Sequence, residues 1–201
     1  MRLPMFPLGS ALVPHQLLPL QVFEPRYRAL VADCLAGDGR FGVVLIERGS
    51  EVGGGDVRFD VGTVARIVDS VELPDGRIGL ATVGEARLRV REWLPDDPYP
   101  QADVEVLRDP PTGADALEAR EPLAAAFDRV VELVRALGAE VPDGLALADD
   151  PLQAAWEATA MAPIGPLDVI AILREDDPVA RSRRVVVALG DAAELLELRL
   201  R

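Results

Sequence analysis

Few side chains in this sequence could be assembled into a nucleophilic or metal site. It has one histidine, His15, one cysteine, Cys34, and serines at positions 10, 50, 70 and 182. A thiolate or alkoxide nucleophile needs a base held against it and a third group to orient that base. His15 lies between Pro14 and Gln16, with no Cys, Asp or Glu within six residues on either side. Cys34 falls beside Val31 and Leu35 in a helical stretch, where a small buried hydrophobe is the expected role. No serine stands in a Gly-x-Ser-x-Gly elbow, and Gly53-Gly54-Gly55 precede no helix that could cradle a phosphate. All 21 basic residues are arginine, which excludes a Schiff base, a phosphate-loop lysine and a Ser–Lys dyad. No enzyme activity, no metal and no cofactor are expected.

Glu24-Pro25-Arg26-Tyr27 is the one polar cluster with two readings. Structurally, Glu24 caps a helix, Pro25 takes its first position, and Arg26 pairs with a carboxylate to lock that helix onto its neighbours. Functionally, Arg26 and Tyr27 line a ligand groove, since both residue types are common at recognition hot spots. The helix-start reading is favoured because it already accounts for three of the four residues.

The elements that would position these groups follow from punctuation and period. Residues 3–31 are short apolar runs cut by five prolines, suited to strand ends and edges rather than to central strands. Arg40–Ile46 reads as a buried strand, and Glu51–Asp56 as a tolerant loop. Val61–Leu73 and Arg77–Val83 form a hairpin about Pro74-Asp75-Gly76. Ala86–Leu94 alternates, with Leu88, Val90 and Glu92 on one face and Arg87, Arg89 and Arg91 on a solvated one. Gln101–Leu107 is a last strand before the break at Asp109-Pro110-Pro111-Thr112-Gly113. Beyond it, Leu123, Phe127, Val130, Val131, Val134 and Leu137 keep the helical period, with Gly138 as the stop. Further helices open at Pro151, Pro166 and Pro178; Asp149-Asp150 and Asp176-Asp177 serve as caps rather than as catalytic pairs.

The net charge is −13, with 12 arginines against 17 acids before Pro110 and 9 against 17 after it. Neither part is basic, so nucleic acid and acidic membrane surfaces are not expected partners. No apolar run reaches the ~18 residues of a membrane span. The proline-broken N-terminus lacks a signal peptide's cleavage pattern, so a cytoplasmic location is expected.

The order Leu3-Pro4-Met5-Phe6-Pro7-Leu8, Pro19-Leu20-Gln21-Val22-Phe23-Glu24-Pro25-Arg26-Tyr27-Arg28-Ala29-Leu30 and Phe41-Gly42-Val43-Val44-Leu45 resembles the N-terminal substrate-binding domain of Lon proteases. Val61–Ala65, Asp75-Gly76-Arg77, Val83–Leu88, Tyr99–Glu105 and Leu173–Arg181 extend the resemblance, while residues 110–165 match least. It implies an α+β fold: a PUA-like β-barrel with one embedded helix over residues 1–109, then an α-helical bundle over 110–201. Lon proteases carry ATPase and Ser–Lys protease modules after this domain, and these 201 residues hold no lysine for such a dyad. The resemblance therefore implies a stand-alone, non-catalytic polypeptide-binding module, an adaptor for unfolded or damaged proteins and partner to a protease. Met5, Phe6, Leu17, Leu18, Leu20, Phe23, Arg26 and Tyr27 are the expected binding residues. The alternative is a small-molecule or RNA-binding PUA-like domain.

Overall fold

Strands dominate the first half because its apolar residues alternate or run in short β-branched blocks, and helices the second because theirs recur every three to four positions. The computed structural model describes residues 1–49, 55–110 and 113–201. Two compact units result, Met1–Arg108 and Asp109–Arg201. Most of the loop expected at Glu51–Asp56 lies outside the described residues.

The first unit contains β1 (Arg2–Leu8), β2 (Leu17–Val22), α1 (Pro25–Ala36), β3 (Arg40–Arg48), β4 (Val57–Glu72), β5 (Ile78–Leu94) and β6 (Gln101–Leu107). The sheet order is β2-β5-β4-β3-β1-β6, and β6 also pairs with β5, so five strands close into a ring and β2 is left outside it. The pairing of β1 with β3 is parallel and the others are antiparallel. Closure removes most of the open edges that invite aggregation; among the described residues β2 keeps one, and so does the end of β4 at residues 69–72, which pairs with β5 alone.

β4 and β5 meet at Pro74-Asp75-Gly76, where Gly76 takes φ +81° and the Leu73 and Arg77 backbones bond across the turn. The two segments read separately at Ile78–Val83 and Ala86–Leu94 are one strand. Its register slips between Ala65↔Gly84 and Val64↔Ala86, a bulge that leaves Glu85 without a partner opposite. Gly84 lies so close to the Val13 carbonyl that any Cβ there would collide with it. Beyond this corner β5 leaves β2 and takes up β6.

Burial corrects one expectation on this strand. Arg91 is exposed and Arg89 half-buried, but Arg87 is buried, so the three arginines do not share one wet face. Arg87 sits where β5 is flanked on both sides, by Thr63 and by Leu107.

β1 has two buried faces. Leu3 and Met5 point into the barrel with Val44, Val64, Leu88, Ala102 and Val104. Phe6 and Leu8 point the other way, into a second core with Tyr27, Leu30, Val31 and Cys34 of α1.

The second unit holds α2 (Ala114–Glu118), α3 (Arg120–Ala136), α4 (Pro151–Met161), α5 (Pro166–Arg174) and α6 (Pro178–Leu200). Asp150 caps α4 through the Leu152 and Gln153 N–H groups, and Asp177 caps α6 through Ala180 N–H. Arg181 is fully buried: its Nη2 lies 2.8 Å from Asp109 Oδ2, and its guanidinium 4.5 Å from the Trp156 ring centroid. No helix among the described residues is long and apolar enough to cross a membrane.

Candidate functional site: the groove beside β2 and α1

β2 is a two-faced strand. Leu18, Leu20 and Val22 turn toward the core under α1, while Leu17, Pro19 and Gln21 face outward. After Val22 the chain leaves the sheet and enters α1 with Pro25 at its first position, which leaves Phe23 at the corner. Leu17 is 70% exposed and Phe23 57%. Between the outer side of β2 and the β1–α1 layer runs a groove of about 190 Å³. Its floor is Phe6, Leu8 and Tyr27; its walls are Pro19, Leu20, Gln21, Phe23 and Glu24.

The floor is rigid. Phe6 and Tyr27 stack with ring centroids 4.1 Å apart and 8° between planes, and Phe41 lies 6.1 Å from Phe6. Burial pushes the Tyr27 hydroxyl up to about 12, with the nearby Arg26 cation pulling the other way, so the phenol stays neutral. Tyr99 ties the layer together by donating its hydroxyl to Asp33 Oδ2 at 2.6 Å.

The rim is polar. The Glu24 side chain makes no capping bond to α1; its Oε2 accepts from Arg26 Nε at 3.1 Å instead. The expected cap is therefore absent: only the Glu24 carbonyl serves the helix, accepting from Arg28 N–H at 2.9 Å. Arg26 lies 4.5 Å over the Tyr27 ring, and its charge also acts on Asp56 at the approach to β4. Burial disfavours the Asp56 carboxylate, but the bond from Arg58 prevails and holds its carboxyl below the usual range. Arg58 bonds Asp56 at 2.5 Å and Asp96 at 2.8 Å, and covers Trp93 at 4.7 Å.

Of the eight residues expected to bind, Phe6, Leu20, Phe23 and Tyr27 line the groove, and Leu17 stands exposed at the far end of β2. Leu18 packs partly against the core, and Arg26 belongs to the rim. Met5 is the outlier. It has no exposed surface, because consecutive residues of a strand face opposite ways and the side opposite Phe6 is the barrel interior. Phe6 and Tyr27 are themselves 7% and 4% exposed, so they form a floor rather than a free surface. Leu8, Pro19 and Gln21 were not singled out from sequence; a proline in an alternating run was the available sign of an edge strand.

Elsewhere the chemistry is quiet. Cys34 is buried, its Sγ 3.3 Å from the Arg40 carbonyl, and burial followed by Asp33 and Asp38 pushes the thiol up to about 12. His15 is exposed at φ +65°, in the loop before β2. Among the described residues no group of three or more His, Cys, Asp or Glu could hold a metal ion. A wider concavity of about 830 Å³ lies over β4, β5 and β6, where Val64, Ala86, Val104 and Val106 meet Arg40, Arg91 and Arg108. Arg40 is paired there with Glu85 and Arg91 with Glu105, which leaves little positive field for an RNA backbone.

Residues 2–191 match the family model described as the ATP-dependent protease La (LON) substrate-binding domain. The chain is 28% identical over 206 residues to Lon protease 2 of Herpetosiphon aurantiacus, and 30% identical over 199 residues to Lon protease of Roseiflexus castenholzii. Each alignment takes in 98% of this chain and 25% of the relative, so the chain spans about a quarter of the length of these curated proteins. Among solved structures, a Lon N-terminal domain protein from Xanthomonas campestris superposes with a TM-score of 0.70 at 28% identity, over 93% of this chain and 98% of that one. The N-terminal domain of a Mycobacterium avium complex Lon protease shares the fold at TM-score 0.65 and 14% identity, over 95% and 99% of the two chains.

Proposed function

The chain belongs to the Lon substrate-binding domain family, and on that footing we propose that it recognises unfolded or damaged polypeptides in the groove beside β2 without cutting them. The observation that carries this reading is the pair of exposed apolar side chains that flank β2, Leu17 at its start and Phe23 at the corner after it, beside a rigid aromatic floor. Burying such side chains against a client is non-directional, so clients of varied sequence can share one surface. The rim pair Glu24–Arg26 borders the groove with charge. Cys34 and His15 lie apart from the groove, and with no lysine in the chain a Ser–Lys dyad has no base. A protease that consumes the bound client is the partner this role calls for, and the cytoplasm is the compartment proposed for it.

The test is a titration of fluorescently labelled, permanently unfolded casein, followed by anisotropy. Wild type is expected to bind at micromolar concentration and Leu17→Ser/Phe23→Ser to bind at least about tenfold more weakly, in line with two lost apolar contacts. Equal affinity of the two proteins moves the site off this groove. RNA retention that falls with salt would instead favour the nucleic-acid alternative, which the net charge of −13 disfavours.

A further inference from the structure

β2 is hydrogen-bonded on one side only. Its residues pair with β5 from Leu17↔Val83 to Val22↔Ile78, and no strand among the described residues pairs with its other side. The phase of the ladder is fixed at both ends. Gly84 N–H donates to the Gln16 carbonyl, and the Thr82 hydroxyl reaches the Leu18 carbonyl, which places even-numbered backbone groups toward β5. Across β5, Leu73 N–H donates to the Arg77 carbonyl, so odd residues of β5 face β4 and even ones face β2. Leu17, Pro19 and Gln21 therefore turn their backbone groups outward. That edge carries carbonyls at all three positions and N–H donors at Leu17 and Gln21, which lie about 13 Å apart at strand spacing.

We infer that a client binds here by strand addition: an extended polypeptide pairs with the outer edge of β2 and sends alternate side chains into the groove over Phe6 and Tyr27. This rests on the polypeptide-binding reading above and specifies how the chain is held. The bonds go to backbone, which every client has, while the groove asks only for apolar side chains. That combination suits partners without a common sequence.

Pro19 decides which partners fit. It offers a carbonyl but no N–H, so a client strand loses one bond at that point. A second copy of β2, laid antiparallel about the same centre, sets Pro19 against Pro19 and loses two. The edge is thus biased toward foreign strands over self-association, and proline blunts it against runaway pairing. The client must supply N–H groups at three alternate positions, opposite Leu17, Pro19 and Gln21. The two positions between them face away and tolerate loss of their N–H.

The experiment uses a labelled nine-residue peptide of alternating Val and Thr, N-methylated at one backbone position at a time. Methylation at the three alternate positions is expected to weaken binding about tenfold each, the value of one backbone bond, with little effect between them. Amide exchange of Leu17 and Gln21 is expected to slow on binding, and that of Leu18 and Leu20 to stay as it was. Pro19→Ala is expected to bind several-fold more tightly because it restores a donor. Gln21→Pro is expected to bind more weakly while keeping its fold, since its N–H faces away from β5. Binding that is indifferent to N-methylation overturns strand addition and leaves the polypeptide-binding reading standing. Absence of binding by both this peptide and unfolded casein overturns both. Protection of Leu17 and Gln21 that rises with protein concentration alone assigns the edge to a second copy and overturns the proposal.

Discussion

Phe6 of β1 and Tyr27 of α1 lie nearly parallel with their centroids 4.1 Å apart, so the aromatics beside the exposed apolar residues are satisfied by each other. Stacking adds about 0.5–1.5 kcal/mol to what their burial contributes. Stability is therefore carried by this buried pair, whereas Leu17 and Phe23, the side chains proposed to meet a client, are mostly exposed. Phe6→Ala is expected to cost about 3–5 kcal/mol. Leu17→Ser, at a side chain 70% exposed, is expected to change stability by less than about 0.5 kcal/mol. Urea unfolding followed by circular dichroism separates the two; similar midpoints for both variants would contradict this division.

In the helical unit, Arg181 is enclosed between the Trp156 ring and the Asp109 carboxylate. Removing one partner of a buried pair strands the other, at a cost of about 3–5 kcal/mol. Arg181→Ala should lower the calorimetric Tm by several degrees, and Arg181→Lys should recover only part of it, because an ammonium lacks the flat face that rests on the indole. A Lys variant as stable as wild type would show that charge alone matters there.

Acid should loosen the corner at Glu85. Burial opposes the charged form, but bonds from Arg40 and Arg66 outweigh it and keep this carboxyl below the ordinary glutamate range. The depressed value belongs to the folded state. The stabilisation is therefore complete above the unfolded glutamate pKa of about 4.3 and is lost as pH falls through the folded value. Glu85→Gln is expected to cost about 0.5–1 kcal/mol at neutral pH, the range for a partly exposed pair. Its stability should also fall less steeply than wild type on acidification below about pH 5. Parallel acid limbs in the two proteins would place the acid sensitivity elsewhere.

Cys34 should be inert in the folded protein. With the thiol buried and pushed up to about 12, almost no thiolate exists at pH 8. Ellman's reagent is expected to release no colour from native protein and one equivalent in strong denaturant. Rapid native reaction would mean that α1 opens readily from the barrel.

Much of this architecture could be read in the residues. Pro74-Asp75-Gly76 marked the hairpin, Asp150 and Asp177 marked two helix starts, and the spacing from Leu123 to Leu137 marked α3. Each of these is a local signal with a local cause. What escaped depends on neighbours distant in sequence. Period two says that Met5 and Phe6 face opposite ways, but not that both sides of β1 are covered. Arg87 reads as a wet arginine until β4 and β6 are seen to flank it. Glu24 has the position of a cap, yet a cation two residues away competes for its carboxylate. The groove was half legible for the same reason: its β2 wall is one stretch of sequence, while part of its floor comes from β1.

The ring closes only when β6 takes its place between β1 and β5. During synthesis, then, the first strand leaves the ribosome long before its last neighbour exists. Nearly a hundred residues separate Leu3 from Ala102, its partner across that seam. Until Gln101–Leu107 arrives, both flanks of the unfinished sheet are open, and a nascent chain of this protein is itself the kind of extended, apolar polypeptide that chaperones and proteases seize.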